Sequence, residues 1–393
     1  MYNFDKIIDR KGTNCNKYDD ERVYNDPLMI PLWVADMDFE ALPEIKSALQ
    51  KIVDQSIYGY TNMKDSYYEA VISWMQERHH FEIKKEWIVP TQGVIAGLRL
   101  AIQTFTEEGD NVLIMKPVYY PFDRSVYITD RNIIECPLVL ENNHYECDFE
   151  LFEKKIIENN VKMFILCNPH NPVGRVWTKE ELKKMGNICK KHHVYVASDE
   201  IHMDFIHKGH KHIPFFEVDE SFKDFSLICT SPSKTFNIAG IQVANIIIAN
   251  ENIKERFEKF KRMSGIGTPN MFALAACEAA YTYGGQWVDE LNEYIYQNLQ
   301  FMKVFLEEKT DSIKVISSEG LYLVWVDMRK LGMNSEELEN FMLNEAHLWL
   351  DEGYVFGTGG EGFERFNIAC PRKTLIQALT QLEIAVNKRR KDA

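Results

Sequence analysis

The residues with the most evident chemistry are Ser231-Pro232-Ser233-Lys234. They follow an apolar run, Phe225 to Cys229, that predicts a buried strand, and they precede the loop-like stretch Thr235 to Gly240. A lysine just past a buried strand, behind two small hydroxyl residues, can be held in a dry site. Burial disfavours the ammonium form, lowers the pKa and makes the amine a nucleophile suited to Schiff-base chemistry. The hydroxyls beside it suit a phosphate. The bland alternative is a solvated loop lysine. The same residues also fit Ser-x-x-Lys, the acylation motif of penicillin-binding proteins and β-lactamases. That motif wants Ser-Asp-Asn and Lys-Thr-Gly as well, where this chain has Ser198-Asp199-Glu200 and Lys234-Thr235-Phe236.

Two upstream signals sharpen the choice. Asn168-Pro169-His170-Asn171-Pro172-Val173-Gly174 follows the apolar run Met163 to Cys167, and its prolines and glycine predict a rigid turn at a strand end. Asn171 there presents amide donors to a ligand oxygen. Asp199 ends the run Val194 to Ser198. A carboxylate buried at a strand end is costly unless a cation pairs with it. Turn chemistry for Asn171 and a helix N-cap for Asp199 are the plain alternatives. Three such residues at successive strand ends, with the lysine last, point to pyridoxal phosphate (PLP). It carries an aldehyde, a phosphate and a protonatable pyridine nitrogen.

This pattern resembles the fold-type I PLP enzymes of the class I and II aminotransferase group. More closely it resembles their cystathionine β-lyase branch called MalY/PatB, which includes cystalysin. The closer match is carried by Pro31 to Phe39, Tyr58-Gly59-Tyr60, Asp199-Glu200-Ile201-His202, Ser231 to Gly240 and Arg365 to Arg372. The resemblance implies an α/β fold, with a mostly parallel sheet in a large domain and a smaller α+β domain. The expected division is an N-terminal segment, 1–45, packing with the small domain, a large PLP-binding domain, 46–285, and the small domain, 286–393.

The resemblance also implies roles. Lys234 would hold the cofactor and then act as base. Asn171, Asp199, Ser231 and Ser233 would bind the cofactor, and Tyr119 would stack on its ring, with Tyr120 left as a core residue. Gly93, Val94 and Ile95, opening a helix in Thr91 to Gly97, would offer amides to its phosphate. Tyr60 would reach the phosphate of a neighbouring subunit, making at least a homodimer with shared sites. Arg365 would bind the substrate carboxylate, with Arg372 as its rival, and Ala35 would line the substrate pocket. His202 stands where many aminotransferases carry a tyrosine, and Gln242 where many carry a cation for the phosphate. The implied reaction is β-elimination from L-cystathionine or a related L-cysteine S-conjugate, giving pyruvate, ammonia and a thiol. An aminotransferase is the first alternative. A regulatory role, binding a transcription regulator, is the second.

Composition agrees with an enzyme of this kind. At ~150 residues per domain, 393 residues predict two or three domains. Forty-five Lys and Arg against 59 Asp and Glu leave a formal net charge of -14, which argues against nucleic-acid or anionic-membrane surfaces. Lys388 to Lys391 reads as a solvated helix end. No apolar run approaches the ~20 residues of a membrane span, and Met1 to Lys6 does not read as a signal peptide. Eight scattered cysteines without a Cys-x-x-Cys pair read as buried hydrophobes in a reducing compartment, so the cytoplasm is expected. No metal is expected. His207, His210 and His212 form a loop cluster without a second ligand set. Gly357-Thr358-Gly359-Gly360-Glu361-Gly362 reads as a flexible loop near the entrance. Strands are expected near 112–116, 132–138, 161–167, 193–198, 225–230 and 243–249, with helices at 93–107, 178–191 and 251–263. A long helix, 286–308, then leads to strands at Ile313 to Ile316 and Tyr322 to Val326.

Overall fold

The computed structural model describes residues 2–392. Its main sheet has seven strands: β1 (Ile88–Thr91), β2 (Asn111–Lys116), β3 (Asn132–Pro137), β4 (Val161–Cys167), β5 (Tyr195–Asp199), β6 (Ser226–Thr230) and β7 (Ala244–Ile247). Their order is β1-β7-β6-β5-β4-β2-β3. β7 runs antiparallel to both neighbours, and the pairs from β6 through β3 are parallel.

The central strands are apolar throughout because both faces are covered. In β4 and β5, Phe164, Leu166 and Val196 face one core with Leu182 and Met185 of the helix Lys179–Lys191. Met163, Ile165 and Ala197 face the other, with Leu98 and Ala101 of Val94–Phe105 and Phe257 of Glu251–Met263. The helix starts are locally encoded. Thr178 and Glu181 form a capping box, and Asn250 caps the helix that follows it. Strand β5 begins at Tyr195, two residues later than expected. His193 adopts a left-handed φ of 56° that ends the preceding turn before extension can begin.

A second, antiparallel sheet follows: β8 (Lys314–Val315), β9 (Leu323–Asp327), β10 (Asp351–Glu352) and β11 (Phe363–Asn367), in the order β8-β9-β11-β10. The helices Gly285–Lys309 and Arg372–Asp392 pack against each other. Near the N-terminus, Ile30–Pro31 pairs in parallel with Leu348–Trp349. Among the described residues no helix is long and apolar enough to cross a membrane. All eight cysteines are free thiols, and only Cys15 is not buried.

Candidate active site

Register brings the chemistry together. Cys167 of β4 lies opposite Asp199 of β5, and Asp199 opposite Cys229 of β6. The turn containing Asn171, the carboxylate of Asp199 and the Ser231–Lys234 turn therefore leave one sheet edge, at the carboxyl ends of parallel strands, where open α/β sheets bind ligands.

Lys234 sits in a single helical turn, Pro232–Thr235, capped by Ser231. The Ser231 hydroxyl accepts from the Ser233 amide at 3.0 Å and donates to the Val243 carbonyl at 2.6 Å, which ties the turn to the start of β7. Ser233 is half-buried. The Lys234 amine donates to the Ala35 carbonyl at 2.8 Å. Burial, helped by the positive charge of Arg365, pulls its pKa down to about 8, against the opposing pull of Asp36 and Asp199. A useful fraction of the amine is therefore neutral near physiological pH.

Asp199 is buried, and its side chain accepts one hydrogen bond, from the Ile201 amide at 3.1 Å. Burial pushes its carboxyl up to about 7. Among the described residues no cation lies at hydrogen-bonding distance from it. The adjacent Glu200 differs: its oxygens accept from Ser198, the Phe215 amide and His212. His202 is buried near Lys234 and Arg365, and its Nδ1 has no partner. Burial holds its pKa down to about 3, so the ring is neutral.

Arg365, on β11, is buried across from Asp351 on β10. Its guanidinium pairs with the Asp351 carboxylate, donates to Asn171 Oδ1 at 3.1 Å and to the Trp33 carbonyl at 2.8 Å, and lies over the Phe356 ring. Its Nε has no partner. Arg372 is held elsewhere, by Asn298 at 2.6 Å and over the Phe301 ring. Of the two arginines, Arg365 is the one hydrogen-bonded to Asn171.

Gly93, at φ 105°, starts the helix Val94–Phe105 without any side-chain cap, so the first-turn amides of Val94 and Ile95 lack protein partners. Tyr119 is half-buried between Tyr120 and Phe122, and its amide donates to the Asn171 carbonyl. Tyr120 is half-buried, packed against the core and at the edge of the Phe356 ring. Tyr60 is fully exposed within this chain, in an exposed segment with Ile57 and Tyr58. Gln242 is exposed at a left-handed turn.

In the 357–362 stretch Gly360 is buried, and a Cβ on it would lie 1.9 Å from the Gly353 carbonyl oxygen, while Thr358, Gly359 and Glu361 are exposed. His207, His210 and His212 line one cavity with His79. His212 is buried on Glu200 and His207 is buried, while His210 remains partly exposed. Among the described residues no three His, Cys, Asp or Glu side chains are grouped to hold a metal.

The structure also reveals groups that pattern alone missed. The backbone of residues 32–39 is gripped almost continuously. Asn367 donates to the Val34 and Asp36 carbonyls, and Asn237 to those of Met37 and Phe39. Arg10 chelates Asp36 and also bonds Asp38, while the fully buried Lys17 lies 2.9 Å from Asp38. The buried Tyr322 hydroxyl donates to the Ala35 carbonyl at 3.2 Å. The two acids of Asp36-Met37-Asp38 were the available signal, but their partners lie some twenty or more residues upstream. A cavity of about 740 Å³ runs along this segment and reaches Lys234.

These residues fit a cofactor with an aldehyde, an anionic group and a ring cation. The amine is depressed in pKa, the helix start is uncapped, and Asp199 lacks a cation. Asn171 and the orphaned Arg365 Nε leave donors for a carboxylate or phenolic oxygen.

Comparison with known proteins agrees. Residues 28–382 match the family model "Aminotransferase class I and II". The chain is 41% identical to cystathionine beta-lyase PatB of Bacillus subtilis, over 98% of this chain and 100% of that protein. It is 31% identical to protein MalY of Escherichia coli, over 98% and 99% of the two chains. The crystal structure of cystalysin from Treponema denticola, which contains a pyridoxal 5'-phosphate cofactor, superposes with a TM-score of 0.94 at 40% identity, covering 99% of each chain. With a family model that spans most of the sequence, the chain belongs to the class I and II aminotransferase family.

Proposed function

We propose that the protein is a PLP-dependent carbon–sulfur β-lyase. It acts on L-cystathionine or a related L-cysteine S-conjugate and releases pyruvate, ammonia and a thiol. The observation that carries the chemistry is the convergence of a pKa-depressed Lys234 with the cation-free Asp199 at one sheet edge. Pyridoxal phosphate, when bound, supplies an aldehyde for amines and a ring that withdraws electrons from the substrate Cα.

The chain's residues do the rest. Asp199 receives the positive charge of the pyridine nitrogen, which offsets the cost of its own burial. The amides of Gly93, Val94 and Ile95 hold the phosphate, aided by Ser231 and Ser233 and by Tyr60 from a second subunit. Tyr119, Asn171 and His202 would hold the cofactor ring. Arg365 holds the substrate carboxylate through its free Nε edge, and Ala35 borders the substrate. Lys234, as neutral amine, removes the Cα proton. The large unit then comprises residues 46–285 and the small one 286–393, with 1–45 packed on the latter. The enzyme works as a homodimer in the cytoplasm.

These cofactor residues serve transamination equally well. The choice of elimination rests on the full-length likeness to a cystathionine β-lyase. Incubation with L-cystathionine should release pyruvate and free thiol in equal amounts. Exchange of amino groups with a keto acid, without thiol release, would overturn the reading.

A further inference from the structure

The Ala35 carbonyl is the meeting point of two donors. The Lys234 amine donates to it at 2.8 Å and the Tyr322 hydroxyl at 3.2 Å. The flanking carbonyls have other partners: Trp33 takes Arg365, and Val34 and Asp36 take Asn367. The segment is therefore fixed on both sides, and the Ala35 oxygen is presented to Lys234 without freedom to turn away. Tyr322 is fully buried just before β9, and the Ala35 carbonyl is the only hydrogen-bond partner of its hydroxyl among the described residues.

We propose that Tyr322 is a positioning residue for the Lys234 amine, acting through the Ala35 carbonyl that both groups share. This rests on the reading of Lys234 as the catalytic amine. A carbonyl oxygen has two lone pairs, and two donors on it each weaken the other's bond. The ammonium form of Lys234 gains more from a strong acceptor than the neutral amine does. Tyr322 therefore lets the carbonyl aim the amine while limiting how far it stabilises the ammonium. The other charged and titratable groups acting on Lys234 are Arg365, which favours the neutral amine, and Asp36 and Asp199, which favour the ammonium. The neighbouring His202 ring is held neutral by burial, and Tyr322 itself stays un-ionised for the same reason.

The test is the titration of Lys234 in the full-length protein, stripped of cofactor and shown to regain activity on its return. Competitive labelling with acetic anhydride across pH 6 to 10 (roughly the range of perturbed lysines), read by mass spectrometry of the Lys234 peptide, gives the midpoint. Tyr322→Phe keeps the ring and removes only the hydroxyl. Its midpoint should rise by about half a pH unit, so that acetylation at neutral pH slows about threefold. The acid limb of kcat/KM in the reloaded enzyme should move the same way. Asp36→Asn removes a charge that favours the ammonium and should move the midpoint down. An unchanged or lowered midpoint in Tyr322→Phe overturns the assignment, as does movement of both variants in one direction. The labelling midpoint of the stripped protein does not depend on which substrate the enzyme cleaves, so failure here is separable from failure of the lyase reading.

Discussion

Asp199→Asn should stabilise the cofactor-free protein while crippling the loaded enzyme, and the stabilisation should depend on pH. In the folded chain the Asp199 carboxyl is raised from 3.8 to about 7, chiefly by burial. The folded state therefore holds a proton that the unfolded state has already lost between these values. Stability contributed by the protonated acid is intact below the unfolded pKa and falls as pH rises through this window. The loss is complete above the folded value. At about 1.4 kcal/mol per pH unit, ionising Asp199 inside the fold costs on the order of 4 kcal/mol. Asparagine keeps the shape and can still accept from the Ile201 amide, but it never ionises. Urea unfolding of the stripped proteins should show near-equal stability around pH 4. The variant should gain steadily, to a few kcal/mol at about pH 8. Cofactor should then stabilise wild type more than the variant, because only wild type has a carboxylate for the ring cation. Elimination by the loaded variant should fall by roughly 10²–10³-fold, the equivalent of a few kcal/mol of barrier. A stability difference that stays flat from pH 4 to 8 (about the window of the shifted acid) would refute the claim that Asp199 is buried without a cation partner.

Borohydride reduction of the loaded protein should fix the cofactor on Lys234 alone, as peptide mass spectrometry would reveal; an adduct on any other lysine contradicts the assignment. Arg365→Ala should raise KM for an α-amino acid substrate by about 10–10²-fold, the value of a charge-assisted hydrogen bond from its free Nε. Arg372→Ala should leave KM near wild type and act on thermal stability instead, since its guanidinium contacts Asn298 and Phe301. Tyr60 is fully exposed in the single chain. Mixed dimers of inactive Lys234→Ala and Tyr60→Ala chains, with exchange verified by tags, should therefore recover part of the activity. Verified mixed dimers without activity would remove Tyr60 from a shared site.

The amino-acid sequence by itself marked six of the seven main-sheet strands, missing the edge strand Ile88–Thr91, and the place of the chemistry at their ends. Two-sided burial writes continuous apolar runs such as Met163 to Cys167. Proline, asparagine and glycine mark where those runs stop, so Asn171, Asp199 and Lys234 are legible as strand-end residues. The helix starts at Val94 and Lys179 are legible for the same reason, because turn and capping chemistry acts within a few residues. Only the tertiary structure decided who meets whom. Arg365 and Arg372 look alike in the chain, yet strand pairing sets Arg365 opposite Asp351 and beside Asn171, while Arg372 starts a helix against Asn298. Gly360 reads as freedom in the chain and makes a close backbone contact with Gly353 in the fold. Ala35 carries no side-chain signal at all. Its carbonyl matters because Tyr322 and Lys234 arrive from elements 287 and 199 residues away. Such contacts depend on sheet order and register, which no short stretch of sequence contains.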